Sequence, residues 1–281
     1  SASHLAQRLL DRGWQVAGTV RTQDKAAELR AQGIDAWLFD RDRPLADPAQ
    51  ALAGTTHLLV SVPPDGQGAG DAALDHHGGE IARLADQLHW AGYLSTTGVY
   101  GNRDGGWVDE DSELRPTSGR SARRVQAETA WRRLHGDHGV PMHTFRLAGI
   151  YGPGRGPFRS IREGTVKRID LPEQKFGRIH VDDICRVVEA SIAQPNPGAV
   201  YNVCDDEPAA PADVTAFACE LLGVEPPALV PWEEAEMSAM AMTFWQDNKR
   251  VDNRRVHDEL GVQFHYPTYR EGLPAVLDAE A

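Results

Sequence analysis

The chain has 281 residues, 41% of them hydrophobic and 25% charged, a composition that suits a globular protein with a sizeable core and excludes general disorder. Its formal net charge of −12 sets most of the surface against a polyanion, so nucleic acid is set aside as a partner. No stretch approaches about 18 uncharged apolar residues, so a membrane span is set aside too.

In chain order, Leu5, Leu9 and Leu10 have helical spacing, stopped by Gly13. Residues 14–21 predict a strand, 25–32 a helix ended by Gly33, and Ile34, Ala36 and Leu38 a short alternating strand. Residues 57–62 form a nearly continuous apolar run halted by Pro63 and Pro64, the pattern of a strand buried on both faces of a parallel sheet. Ile81, Leu84, Ala85 and Leu88 mark a helix, 93–97 a strand, 120–135 a long helix and 142–150 another strand. This alternation predicts an α/β fold with a Rossmann-type, doubly wound parallel sheet. The stretch 153–177 is rich in Gly, Pro and Arg and has little periodicity. Beyond it, helices are expected over 182–193, 212–222, about 233–245 and 252–260, with a strand at 200–204. The expected division is a dinucleotide-binding domain over 1–150, completed by about 178–204, and a smaller C-terminal substrate-binding lobe over 151–281.

A dinucleotide fold opens with a strand, then G-x-G-x-x-G, then a helix. This chain opens within that helix, and the expectation is that a strand and a glycine turn precede Ser1. Cys185, Cys204 and Cys219 lack the close pairing of a zinc site and are odd in number. They read as reduced thiols of a cytoplasmic protein. No H-E-x-x-H pattern occurs, and no metal is expected.

Three segments carry a family likeness: Tyr93-Leu-Ser-Thr-Thr-Gly-Val-Tyr-Gly101, Arg146-Leu-Ala-Gly-Ile-Tyr-Gly-Pro-Gly-Arg155 and Arg178-Ile-His-Val-Asp-Asp183. In this order and spacing the chain resembles the extended short-chain dehydrogenase/reductases, the group that includes nucleotide-sugar epimerases and dehydratases. Within it the likeness is closest to an atypical bacterial branch of NAD(P)-dependent oxidoreductases. The resemblance covers nearly the whole chain. It implies an enzyme, with a small-molecule or sugar-like substrate and a homodimer built on the helix 120–135.

The resemblance also implies site residues. Ala2 takes the third glycine position of the phosphate loop, where a helix N-terminus faces the pyrophosphate. Asp40 approaches the adenine ring, its alternative being a turn residue. Ser61, Val62 and Pro63 run beside the cofactor at the end of their strand, and Ser95 and Gly149 also line it. Thr96 hydrogen-bonds the reacting oxygen, since a hydroxyl can donate to a developing oxyanion. Thr97, Arg155, Arg178 and His180 line the substrate pocket. The cationic members, with Lys167 and Arg168 nearby, would attract an anionic substrate.

Arg21 selects the cofactor on simpler grounds. No Asp or Glu lies between Trp14 and Arg21 to bind a ribose 2′-hydroxyl, and a guanidinium at the strand end suits a 2′-phosphate. NADP(H) is therefore expected over NAD(H).

The chain departs from the family at its acid/base pair. The family's Tyr-x-x-x-Lys places a phenol and an ammonium on one helix face. Anchored on Pro116 and Gly119, that pair becomes Ser118 and Ala122; anchored on Glu128, it becomes Arg120 and Arg124. Neither register supplies a tyrosine or lysine. Tyr100, close in sequence to Thr96, is the substitute candidate. The alternative is a catalytically silent NADP(H)-binding sensor.

Overall fold

The computed structural model describes residues 1–68 and 70–281, with the backbone alone at 239 and 240. The chain divides into two compact units, 1–95 with 123–144 and 191–199, and 96–122 with 145–190 and 200–281. The chain passes between them five times.

In chain order the elements are α1 (Ala2–Leu10), β1 (Ala17–Val20), α2 (Gln23–Ala31), β2 (Asp35–Leu38), α3 (Pro48–Ala51), β3 (His57–Val60), α4 (Ala72–Arg83), β4 (Trp90–Thr96), a 3-10 turn (Thr97–Tyr100) and β5 (Trp107–Val108). Then come α5 (Gly119–His138), β6 (Met142–Leu147), β7 (Gly149–Tyr151), α6 (Phe158–Arg162), β8 (Arg168–Asp170), β9 (Arg178–His180), α7 (Val181–Ala193) and β10 (Val200–Val203). The remainder is α8 (Pro211–Leu222), β11 (Leu229–Pro231), a 3-10 turn (Trp232–Glu234), α9 (Ala239–Trp245), β12 (Arg250–Val251), α10 (Arg254–Leu260) and α11 (Tyr269–Ala279).

The first unit carries the expected alternation. β1 pairs with β2 in parallel, Ala17 opposite Asp35, as a two-stranded sheet. β3 pairs with β4 in parallel, His57 opposite Trp90, and β4 continues to the first half of β6, where the Ala91 amide donates to the Pro141 carbonyl. β4 is buried along nearly its whole length, as its uncharged sequence requires. Under these strands lies an apolar cluster that includes Val60, Ile81, Tyr93, Trp131 and Met142. Asp71 binds it to the helices: one carboxylate oxygen caps α4 through the amides of Ala73 and Leu74, and the other accepts from the Trp131 indole at 2.9 Å.

Buried polar groups in β6 are paired, as burial demands. His143 donates through Nδ1 to the Ala91 carbonyl and accepts the Asn196 amide at Nε2, which makes it the neutral tautomer; burial lowers its pKa in agreement.

In the second unit β7 pairs in parallel with β9, Gly149 opposite Arg178, and β8 with β11. A second apolar cluster joins Tyr151, Phe158, Val214, Tyr269 and Val276. Three expectations are corrected here. The strand expected over 142–150 is two strands, because after Leu147 the Gly149 amide turns to the Gly177 carbonyl. The helix expected over 233–245 is a 3-10 turn and the shorter α9, with Ser238 capping the latter through the Ala241 amide. The irregular stretch 153–177 holds α6 and β8. Helix α11 was not foreseen, although Thr268 and Glu271 form a complete capping box at its start.

Candidate active site

In the first unit Arg21, Asp40 and Ser61 to Pro63 follow the carboxyl ends of parallel strands, where ligands of open α/β sheets bind. Ala2 opens α1, whose N-cap Ser1 makes no side-chain capping bond. Arg21 follows β1 and is exposed. No side-chain acceptor for it is found among the described residues, whereas the nearby Lys25 is paired with Glu28 at 2.5 Å. Asp40 is engaged on both oxygens: Oδ2 accepts from Arg43 at 2.7 Å and Oδ1 from the Asp42 amide at 3.1 Å. The Arg43 guanidinium also donates to the Arg21 carbonyl. Asp40 thus orders the turn that carries the cations. Ser61 and Pro63 are exposed just beyond β3, with Val62 half-buried.

Ser95 is 5% exposed and donates to Glu128 of α5. One turn earlier, Arg124 donates to the Tyr93 hydroxyl and the Leu94 carbonyl, at 2.8 and 2.9 Å. Arg124 and Glu128 therefore form the helix face turned toward β4. An arginine stands there, committed to hydrogen bonds with β4. Burial still raises the Tyr93 phenol against the pull of Arg124.

In the second unit Thr96 ends β4 and caps the 3-10 turn, its Oγ1 accepting the Gly98 amide at 3.1 Å. Thr96 and Ser121 close in on Gly98: a Cβ there would lie 3.3 Å from Ser121 Oγ and 3.4 Å from Thr96 Oγ1, tighter than ordinary contact. Ser118 donates to Ser121 at 3.0 Å, and the Ser121 amide donates back to Ser118 at 3.1 Å. Thr97 is half-buried at the start of the turn. Gly101 closes it at φ +65°, where a Cβ would fall 1.8 Å from the Arg115 carbonyl oxygen, so only glycine fits.

Tyr100 is fully buried. Its hydroxyl donates to Asn202 Oδ1 at 2.6 Å and accepts from Arg146 at 2.8 Å, with the guanidinium 5.0 Å from the ring centroid. Burial pushes its pKa up to about 12, Arg146 offsetting only part. A phenol enclosed in this way braces the core and is badly placed to exchange protons with a substrate. The geometry corrects its expected catalytic role.

Gly149, Arg178 and His180 come together on the β7–β9 pair, and Arg155 lies exposed on the loop that follows β7. Arg178 spends one guanidinium nitrogen on the carbonyls of Phe176 and Ala209. His180 is 2% exposed, accepts the Asp182 amide at Nδ1, and packs against Tyr151 and Tyr266 at 5.2 and 4.2 Å between centroids. Both residues brace this part of the unit. Asp183, fully buried, accepts the amides of His265 and Tyr266. Arg168 donates to the carbonyls of Pro227 and Ala212.

Comparison with known proteins agrees with this layout. Residues 2–204 match the NAD dependent epimerase/dehydratase family. Protein YeeZ of Escherichia coli is 30% identical over 94% of this chain and 92% of its own length. A dTDP-glucose 4,6-dehydratase of Streptomyces griseus is 27% identical over 60% of this chain and 52% of that one. Among solved structures, a functionally unknown conserved protein from Silicibacter pomeroyi superposes with a TM-score of 0.90 at 47% identity, over 99% of this chain and 94% of that one. MoeE5 in complex with UDP-glucuronic acid and NAD gives a TM-score of 0.74 at 19% identity, over the same shares of the two chains, a likeness of fold.

Proposed function

The chain belongs to the NAD dependent epimerase/dehydratase family, and from that premise we propose that it is an atypical NAD(P)-dependent oxidoreductase or epimerase acting on a small, anionic or sugar-like substrate, with NADP(H) preferred. The observation that carries the reading is the end of β4. Because Thr96 Oγ1 accepts the Gly98 amide, its own proton is free to be donated to a substrate oxygen. Ser121, linked to Ser118 and likewise beside Gly98, would relay a proton toward water in place of the absent tyrosine. A nicotinamide dinucleotide, when bound, supplies or accepts the hydride. The residues of the first unit suit its adenosine half: Arg21 is exposed at the end of a strand that carries no acidic residue, and Arg43, paired with Asp40, donates to its carbonyl. The three free, buried cysteines support a reducing, cytoplasmic setting. No helix among the described residues is long and apolar enough to cross a membrane.

Binding comes first. Calorimetry is expected to show NADPH binding more tightly than NADH. Arg21→Ala should weaken NADPH by about 10- to 100-fold, the worth of a charge-assisted phosphate contact, and leave NADH unchanged. Equal losses for both cofactors would remove Arg21 from the selectivity. A screen of sugar nucleotides and small carbonyl acids, followed by the absorbance of reduced nicotinamide, then tests turnover. Thr96→Val should lower kcat by about 100-fold with NADPH affinity intact, as for loss of one oxyanion donor. Cofactor binding with no turnover across the screen would favour the sensor.

A further inference from the structure

We propose that Arg41 is a positioning residue for the dinucleotide, a clamp that joins the loop after β2 to the loop after β3 and so shapes the floor on which the adenosine half rests. The proposal rests on the dinucleotide reading above and assigns to it residues that contact no cofactor themselves. Arg41 follows Asp40, and Asp65 follows Ser61, Val62 and Pro63, so each partner belongs to a segment given to the cofactor.

The geometry is that of a two-pronged fork. Arg41 Nε and Nη2 donate to the two oxygens of Asp65 at 2.7 and 2.9 Å, while Nη1 donates to Asp75 of α4. The side chains of Arg41 and Asp75 are each 17% exposed, so the pair is shielded far more than an ordinary surface bridge.

Each loop is further tied to the same three residues. Asp65 Oδ1 accepts the Gln67 amide, and the Asp65 amide donates to the Gly70 carbonyl. Gly68, at φ +53°, lies directly on the fork: a Cβ there would sit 2.4 Å from Asp75 Oδ2 and 3.4 Å from Arg41 Nη1. On the other side, α4 grips the segment 41–45 with two histidines. His76 Nε2 donates to the Arg41 carbonyl at 2.7 Å, and His77 Nε2 accepts the Leu45 amide at 3.1 Å. The Arg41 fork holds Asp65 below the usual carboxylate range, with Arg123 of α5 adding to the pull.

A guanidinium that makes three bonds across two loops removes freedom that a ligand would otherwise have to remove on binding, which raises affinity without touching the ligand. Its loss should act on every ligand that rests on both loops, whatever its 2′ substituent. This separates Arg41 from Arg21.

The test uses the whole chain with NADPH and NADH in calorimetry. Arg41→Gln is expected to weaken both cofactors by the same factor, about tenfold or 1.4 kcal/mol, so that the NADPH to NADH ratio stays at the wild-type value. Arg41→Lys, which keeps one bridge, should recover part of the loss. Hydrogen exchange at the amides of Leu45, Gln67 and Gly70 should quicken in Arg41→Gln, slow again on addition of NADPH, and leave the amides of β4 unchanged. Wild-type affinity in Arg41→Gln would overturn the clamp while leaving the dinucleotide reading intact. A changed cofactor ratio would make Arg41 a direct ligand and overturn the positioning role. Failure of the wild-type chain to bind either cofactor would overturn the reading and the clamp together.

Discussion

Trp131→Ala is expected to destabilise the first unit by about 3–5 kcal/mol, the usual cost of emptying a large aromatic site. Three terms act at once. The indole is fully buried in the cluster with Val60, Ile81 and Met142, so its removal leaves a cavity. It stacks on Tyr93 at 6.0 Å and 24°, a contact worth more than its area alone. Its Nε1 donates to Asp71, which is 1% exposed and caps α4 with its other oxygen. Trp131→Phe keeps most of the packing and removes only the donor, so it should cost about 1–3 kcal/mol, the penalty of an unsatisfied buried acceptor. Urea denaturation followed by far-ultraviolet circular dichroism measures both. A phenylalanine variant as damaged as the alanine variant would mean that the Asp71 bond, not the packing, dominates.

Asp205→Asn should stabilise the protein, and the gain should grow with pH. Asp205 is 2% exposed. Its Oδ1 accepts the Arg178 amide at 3.3 Å, while Oδ2 finds no hydrogen-bond partner among the described residues. Burial is the largest cause of its shift, reinforced by Asp206 and Glu207 and opposed by Arg178, and the carboxyl is pushed up to about 8 from an ordinary 3.8. In this direction the folded state binds the proton more tightly than the unfolded chain. The penalty is therefore absent below the unfolded value and grows by about 1.4 kcal/mol per pH unit through the window above it. It is complete once pH passes the folded value of about 8. An amide carries no charge to bury and keeps an oxygen for the Arg178 amide. Melting temperatures taken from about pH 4 to about pH 9 should show the variant level with wild type in acid and several degrees above it in alkali. A difference that does not vary with pH would show that Asp205 does not titrate in that window.

The local pattern carried most of the first unit. The runs at 57–62 and 93–97 became β3 and the end of β4, and the helix 120–135 became α5, because period and apolar content are properties of neighbouring residues. The turn after β4 was legible for the same reason: Gly101 stands where glycine alone fits. The absence of the Tyr-x-x-x-Lys pair was likewise plain from the letters.

What the letters left open depends on partners far apart in the chain. Tyr100 looked like a replacement acid until Arg146 and Asn202, 46 and 102 residues away, enclosed its hydroxyl. From sequence Asp40 could face adenine or order a turn, and its bond to Arg43 came only with the fold. Arg41 and Asp65 lie 24 residues apart with no spacing rule to join them. The titration of Asp205 is set by water excluded from around it, which no residue type announces. Sequence determined most strands and helices of the first unit and the family to which the chain belongs, because period, apolar content and motif spacing are written locally. Only the tertiary structure decided which of those side chains are free to act, because burial and hydrogen-bond partners are chosen by chain segments that meet in space.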